Sequence, residues 1–132
     1  MKYLLDTNMC IYIIKKHPPR VFEKLKSLDI EDVGISAITA AELEYGVSKS
    51  SMPDQNRLAL TKFTAPLQIL PFEEKAAEVY GRLRASLEKT GTVIGSFDLL
   101  IGAQAKSENL TLVTNNVSEF GRIPGLKLEN WF

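Results

Sequence analysis

The chain has 132 residues, of which 45% are hydrophobic and 24% charged, proportions that suit one globular domain with a real core. Sixteen basic and sixteen acidic residues cancel to a formal net charge of zero. A nucleic-acid partner would therefore have to be held by local patches or by metal, because there is no global field to hold it.

Residues 2–6 read as a short buried strand that runs into a helix ending near Lys16. No apolar run approaches the roughly 18 residues of a membrane span. The charge at Asp6 comes too early for a secretory signal, so a reducing cytoplasm is the expected compartment. Cys10 is the only cysteine, which excludes an internal disulfide and a thiolate zinc site. It shares a helical face with Ile13 and Ile14 and reads as a small core residue. The only histidine, His17, precedes Pro18-Pro19 and is expected in an exposed turn, so chemistry built on histidine is not expected.

The stretch from Val21 to Leu28 should form a second helix, with Val21, Leu25 and Leu28 on one face. Val33-Gly34-Ile35-Ser36 looks like a strand leading into a helix over about Ile38 to Ser48. Ser51-Met52-Pro53-Asp54 starts a helix with proline in its first turn, closing before Pro66. Leu67 to Leu70 is a third strand. A long helix from about Glu73 to Lys89 repeats Ala76, Tyr80, Leu83 and Leu87 at helical spacing and stops at Thr90-Gly91. After a loop over Thr92 to Phe97, a helix runs from about Asp98 to Ser107. Leu110 to Thr114 is a further strand, and Leu126 to Leu128 a last short one. Alternating strands and helices imply a single α/β domain over residues 1–132. The expected form is an α/β/α sandwich with a central parallel sheet of four to five strands. Its ligand site belongs beyond the carboxyl ends of those strands.

Acidic residues recur at that edge. Asp6 ends the first strand, where a helix cap is the commoner reading of Asp-Thr-Asn. Glu42 has its own structural reading, since Thr39-x-x-Glu42 matches a capping box. Ser36 is an equally good and earlier cap, which would leave Glu42 inside the helix and sharing a face with Gly46. Glycine there leaves room beside the carboxylate. Glu44 points the other way, towards solvent. Asp98 sits in a first turn, where the helix dipole favours it, and Gly102 one turn on repeats the Glu42/Gly46 arrangement. Asn115-Asn116 and Glu119 follow the strand at Leu110 to Thr114. No one acid persuades alone. Gathered at one edge they would repel without a cation, and oxygen-only ligation selects Mg²⁺ or Mn²⁺. Phosphodiester hydrolysis is the chemistry such a site suits.

Four segments in order resemble the PIN-domain ribonucleases, and among them the VapC-type toxins of toxin–antitoxin pairs. They are Tyr3-Leu4-Leu5-Asp6-Thr7-Asn8, Ser36-Ala37-Ile38-Thr39-Ala40-Ala41-Glu42-Leu43-Glu44-Tyr45-Gly46, Ile94-Gly95-Ser96-Phe97-Asp98-Leu99-Leu100-Ile101 and Leu112-Val113-Thr114-Asn115-Asn116-Val117-Ser118-Glu119-Phe120. The ending Gly125-Leu126-Lys127-Leu128-Glu129-Asn130-Trp131 is similar to one branch of that family. The resemblance implies that Asp6, Glu42 and Asp98 hold Mg²⁺, with Mn²⁺ as a substitute, in a metal-dependent endoribonuclease. Water attack in that family leaves a 5′-phosphate and a 3′-hydroxyl, and a structured RNA such as tRNA is the common target.

Asn116, counted with Asp6, Glu42 and Asp98 as catalytic, stands where many relatives carry a fourth Asp, and one charge fewer should weaken a second metal site unless Glu119 compensates. Ser96 replaces a frequent proline, and Gly102-Ala103-Gln104 a frequent Ala-Ala-His. Thr7, Asn8, Asn116 and Glu119 are expected to orient ligands or water. Lys49, Arg82 and Arg84, with Lys15, Lys16 and Arg20, are candidate RNA contacts, although each suits a solvated helix charge. The resemblance also implies a cognate antitoxin lying over the acidic pocket, a homodimer and a larger assembly with the antitoxin. Ile11, Ile14, Val21 and Leu25 could receive a partner helix or belong to the core.

Three rival readings compete. A phosphotransferase with Asp6 as nucleophile would want an acid where Asn8 stands. A receiver-like signalling module would need an acid after the third strand, where Leu70-Pro71-Phe72 offers none. In a binding or structural domain without nuclease activity, the acids would merely cap helices.

Overall fold

A computed structural model describes residues 1–132. Five strands form one parallel sheet in the order β3-β2-β1-β4-β5. They are β1 (Tyr3–Leu5), β2 (Val33–Ser36), β3 (Gln68–Leu70), β4 (Thr111–Val113) and β5 (Leu128–Glu129). Every pairing is parallel. The helices are α1 (Thr7–Lys15), α2 (Pro19–Lys26), α3 (Ala37–Lys49), α4 (Pro53–Thr64), α5 (Glu74–Lys89), α6 (Ser96–Ser107) and the short α7 (Val117–Phe120). This is the expected α/β sandwich. No helix is long and apolar enough to cross a membrane.

Alternation along the strands builds the two cores. Leu4 and Leu112 face one side of the sheet and pack with Leu83, Leu87, Leu99 and Ile101 from α5 and α6. Leu5 and Val113 face the other side and pack with Met9, Cys10, Ile13, Leu43 and Leu60 from α1, α3 and α4. Cys10 is fully buried and His17 exposed, as expected. At Gly34 in β2, an added Cβ would stand 2.9 Å from the carbonyl oxygen of Gln68 in β3 and 2.7 Å from the sulfur of Met1. Backbone cannot give way cheaply there. Gly34→Ala should therefore cost about 1–3 kcal/mol, read by urea unfolding of the two proteins side by side.

Three boundaries differ from the sequence reading, and two short elements are added. The second helix begins at Pro19 rather than Val21, because proline is preorganised for the first helical position. The α6 helix begins at Ser96, two residues before the expected start, with Gly95 at its N-cap and Asp98 inside its first turn. The last strand is Leu128–Glu129, not Leu126 to Leu128, since its partner residues are Leu112 and Val113. A 3-10 turn at Ile30–Asp32 and the helix α7 were not anticipated, being too short to show a period.

The sheet order places β1 between β2 and β4, so the chain leaves β1 in one direction first and returns on its other side later. A crevice opens at such a switch point, beyond the carboxyl ends of the strands. Asp6 follows β1, and Asn116 follows β4.

Candidate active site

Asp6 is the N-cap of α1, with an extended backbone, and its Oδ1 accepts a hydrogen bond from the Met9 N–H at 2.8 Å. The cap reading is thus realised, but it uses only one carboxylate oxygen. Asp6 is also buried, at 4% exposure. Burial pushes its carboxyl above the usual range and the charge of Glu42 adds to this, while the Thr114 hydroxyl and the Met9 N–H pull it down. Thr114 stands there because Leu5 and Val113 pair across β1 and β4, setting the next residues side by side. Sequence reading missed Thr114 as a site residue. The signal was the parallel register of the two apolar strands.

Glu42 lies inside α3 and is half-buried. The cap is Ser36, whose Oγ accepts from the Ile38 N–H at 3.0 Å, so Thr39 and Glu42 form no capping box. Glu42 Oε1 instead accepts from the Thr7 hydroxyl at 2.6 Å. A Cβ added to Gly46 would meet nothing within 4 Å, so the space beside Glu42 is open, as expected. Glu44 is exposed and paired with Arg57 on α4.

Asp98 is half-buried in the first turn of α6. Its carboxyl is pushed up to about 6 by burial, and then by the charges of Glu119, Asp6 and Glu42. Glu119 acts as a clasp. Its Oε1 accepts from the Gly95 N–H at 3.0 Å, and its Oε2 from the Asn116 side-chain amide at 3.2 Å. The turn that leads into Asp98 is thereby fastened to α7. Asn116 is itself fixed by a bond from its backbone N–H to the Thr114 hydroxyl at 2.9 Å.

Four carboxylates from separate parts of the chain therefore repel one another across one crevice. None of them takes part in the six ion pairs of the molecule. Crowded like charges, one buried and three half-buried, with none of them ion-paired, are an arrangement that a small hard cation relieves. The donor set is all oxygen and suits Mg²⁺ or Mn²⁺ better than zinc or copper. No three acidic side chains stand close enough to chelate one ion directly as they are. Glu42 is engaged by Thr7, and Glu119 by Gly95 and Asn116. Mg²⁺ tolerates that spacing better than most ions because it keeps several waters.

Other expected residues fall differently. Asn8 is exposed in α1, and no hydrogen bond ties it to the acids. Gly102 does not repeat the Gly46 arrangement. An added Cβ there would stand 2.6 Å from Ile123, so this glycine serves the packing of α6 against the segment after α7. Arg84 is held by Tyr80 and Glu88 on its own helix, beside Ser96 at the start of α6. Arg82 is exposed on α5, and Lys49 lies over the Tyr45 ring. The cation that borders the crevice is Lys15, which lines a groove with Glu42, Gly46, Ile11 and Ile14.

Comparison with known proteins finds relatives over the whole chain. Residues 3–126 match the PIN domain family. The chain is 50% identical over 132 residues to a protein of Rickettsia felis named Ribonuclease VapC2, covering 99% of this chain and 98% of that one. It is 40% identical over 131 residues to the tRNA(fMet)-specific endonuclease VapC of Salmonella typhimurium, with the same coverage. Among solved structures, VapBC2 from Rickettsia felis bound to a DNA fragment from its promoter superposes with a TM-score of 0.93 at 48% identity, covering all of both chains.

Proposed function

The chain belongs to the PIN-domain family as a VapC-type ribonuclease, the toxin of a VapBC pair, and we propose that it is a divalent-metal endoribonuclease working through Asp6, Glu42, Asp98 and Glu119. The convergence of four carboxylates from separate parts of the chain supports the site most strongly. The Asp98 carboxyl rises to about 6 under burial and three other carboxylates. Mg²⁺, or Mn²⁺ in its place, would be held by Asp6, Glu42 and Asp98, directly or through water. A cation so bound supplies an acidified water and neutralises charge on the phosphate. Asp6 keeps one oxygen for the α1 cap and offers the other. Glu119 takes the part of the fourth acid, and Asn116, by donating to Oε2, orients it. Thr7 holds the Glu42 carboxylate.

The RNA phosphodiester is hydrolysed to a 5′-phosphate and a 3′-hydroxyl, with no need of the 2′-hydroxyl. A structured RNA is the preferred substrate, and a tRNA loop with splayed bases fits a shallow crevice of this kind. The Salmonella relative, a tRNA(fMet)-specific endonuclease, supports that choice. The cognate partner is an antitoxin. Its seat is the apolar groove of Ile11, Ile14, Leu43, Val47 and Leu60 that ends at Glu42. Of the faces considered for a partner, Val21 is core, at 0% exposure, while Ile11, Ile14 and Leu25 are partly exposed. The protein acts in the cytoplasm as a homodimer within a larger toxin–antitoxin assembly.

The test is cleavage by the purified chain of total tRNA, with Mg²⁺, with Mn²⁺ and after chelation, followed by mapping of new ends. Discrete cuts carrying 5′-phosphates are expected with either ion, falling at least about a hundredfold on chelation. Cuts that survive chelation, or that carry a 5′-hydroxyl, would overturn the mechanism.

A further inference from the structure

Five polar side chains are buried: Asp6, Ser36, Thr39, Gln104 and Thr114. Asp6 and Thr114 stand side by side beyond β1 and β4, Ser36 caps α3, and Gln104 donates to the carbonyls of Leu70 and Pro71. Thr39 remains. It is at 0% exposure, one helical turn before Glu42, and so shares its face of α3. Its hydroxyl meets the Thr7 hydroxyl at 3.2 Å.

Thr7 is therefore a donor with one proton and two acceptors, Glu42 Oε1 at 2.6 Å and Thr39 Oγ1 at 3.2 Å. A hydroxyl serves one acceptor fully at a time. The carboxylate wins while it is free, because a charged acceptor makes the stronger bond. A cation that draws on Glu42 weakens its pull on that proton. With Thr39 alongside, the proton can turn away from Glu42 and remain bonded. Without it, engaging Glu42 would leave a half-buried hydroxyl short of a partner.

We propose that Thr39 is a positioning residue for Glu42: its oxygen receives the Thr7 proton when Glu42 engages a divalent cation. This rests on the reading of Glu42 as a metal ligand. It also gives a reason for a polar side chain at a site where valine would fill the same volume.

The experiment is Mn²⁺ titration of the full chain, followed by the electron paramagnetic resonance of the free ion, with a metal-free thermal melt beside it. Thr39→Val should bind Mn²⁺ about five- to tenfold more weakly, while the metal-free melting temperature stays near that of the unaltered chain. Thr39→Ser, which keeps the acceptor, should bind normally. In a Thr7→Val background, Thr39→Val should change nothing, since the shared proton is gone. If Thr39→Val does not fold, Thr39→Ala makes the same comparison. A Thr39→Val or Thr39→Ala chain that binds Mn²⁺ normally overturns the proposal, as does an undiminished penalty in the Thr7→Val background. An unaltered chain that binds no Mn²⁺ overturns the metal-site reading, and this proposal with it.

Discussion

Asp6→Asn should abolish RNA cleavage while leaving the fold at least as stable, and Asp6→Ala should abolish cleavage and weaken the fold. The difference comes from the two tasks of one carboxylate. As a cap, Asp6 offers Oδ1 to the Met9 N–H, and an amide oxygen can do the same. As a ligand, it needs its negative charge, which the amide lacks. Positioning groups around metal ligands cost about 10–100-fold when removed, so loss of a direct ligand should exceed a hundredfold. Alanine removes the cap as well, at about 1 kcal/mol. Relief of a buried charge facing Glu42 offsets part of that loss. Thermal melts in a chelator, with tRNA cleavage measured on the same preparations, separate the tasks. If Asp6→Asn cleaves within a few-fold of the unaltered chain, Asp6 is a cap and nothing more.

Much of this site could be read from the chain because its acids sit where strands become helices. Asp6 behind Tyr3-Leu4-Leu5 and Glu42 after Val33-Gly34-Ile35-Ser36 follow from the strand-to-helix change of hydrophobic period. Ser36 competes openly with Thr39 for the cap, and the observed bond from the Ile38 N–H settles it for Ser36. What escaped depends on contacts across the fold. Thr114 reaches Asp6 only through the β1/β4 register. Glu119 meets Gly95 across 24 positions, and no local pattern announces that. Gly46 and Gly102 stand at the same spacing from an acid and look alike in sequence. One borders open space and the other is packed on Ile123, a difference that only tertiary structure creates. The basic candidates were the least legible. A solvated helix charge and a phosphate contact have the same local pattern, and Arg84 proves to be engaged by Tyr80 and Glu88.

Asp98→Asn should stabilise the metal-free protein at neutral pH while it disables the enzyme. The folded Asp98 carboxyl titrates at about 6, above its value of about 4 in the unfolded chain. Below about pH 4 both states hold the proton, and the group contributes nothing to pH dependence. Between about 4 and 6 the folded state keeps a proton that the unfolded state releases. Stability of the metal-free chain therefore falls as pH rises through that window, and the full penalty persists above it. Asparagine removes the charge that Glu119, Asp6 and Glu42 oppose. After allowance for the solvent screening of a half-exposed group, the gain should be about 1 kcal/mol at pH 7.5 and near zero at pH 4. Urea unfolding of both proteins at the two pH values reads it directly. Saturating Mg²⁺ should reverse the order at pH 7.5, because the ion stabilises only a chain that binds it. Protons compete for the same carboxyl, so apparent metal affinity of the unaltered chain should fall steeply below about pH 6. An Asp98→Asn chain no more stable than the original in chelator at pH 7.5 would mean that its neighbours do not press on this carboxyl. The crowding on which the proposed cation site rests would then be absent.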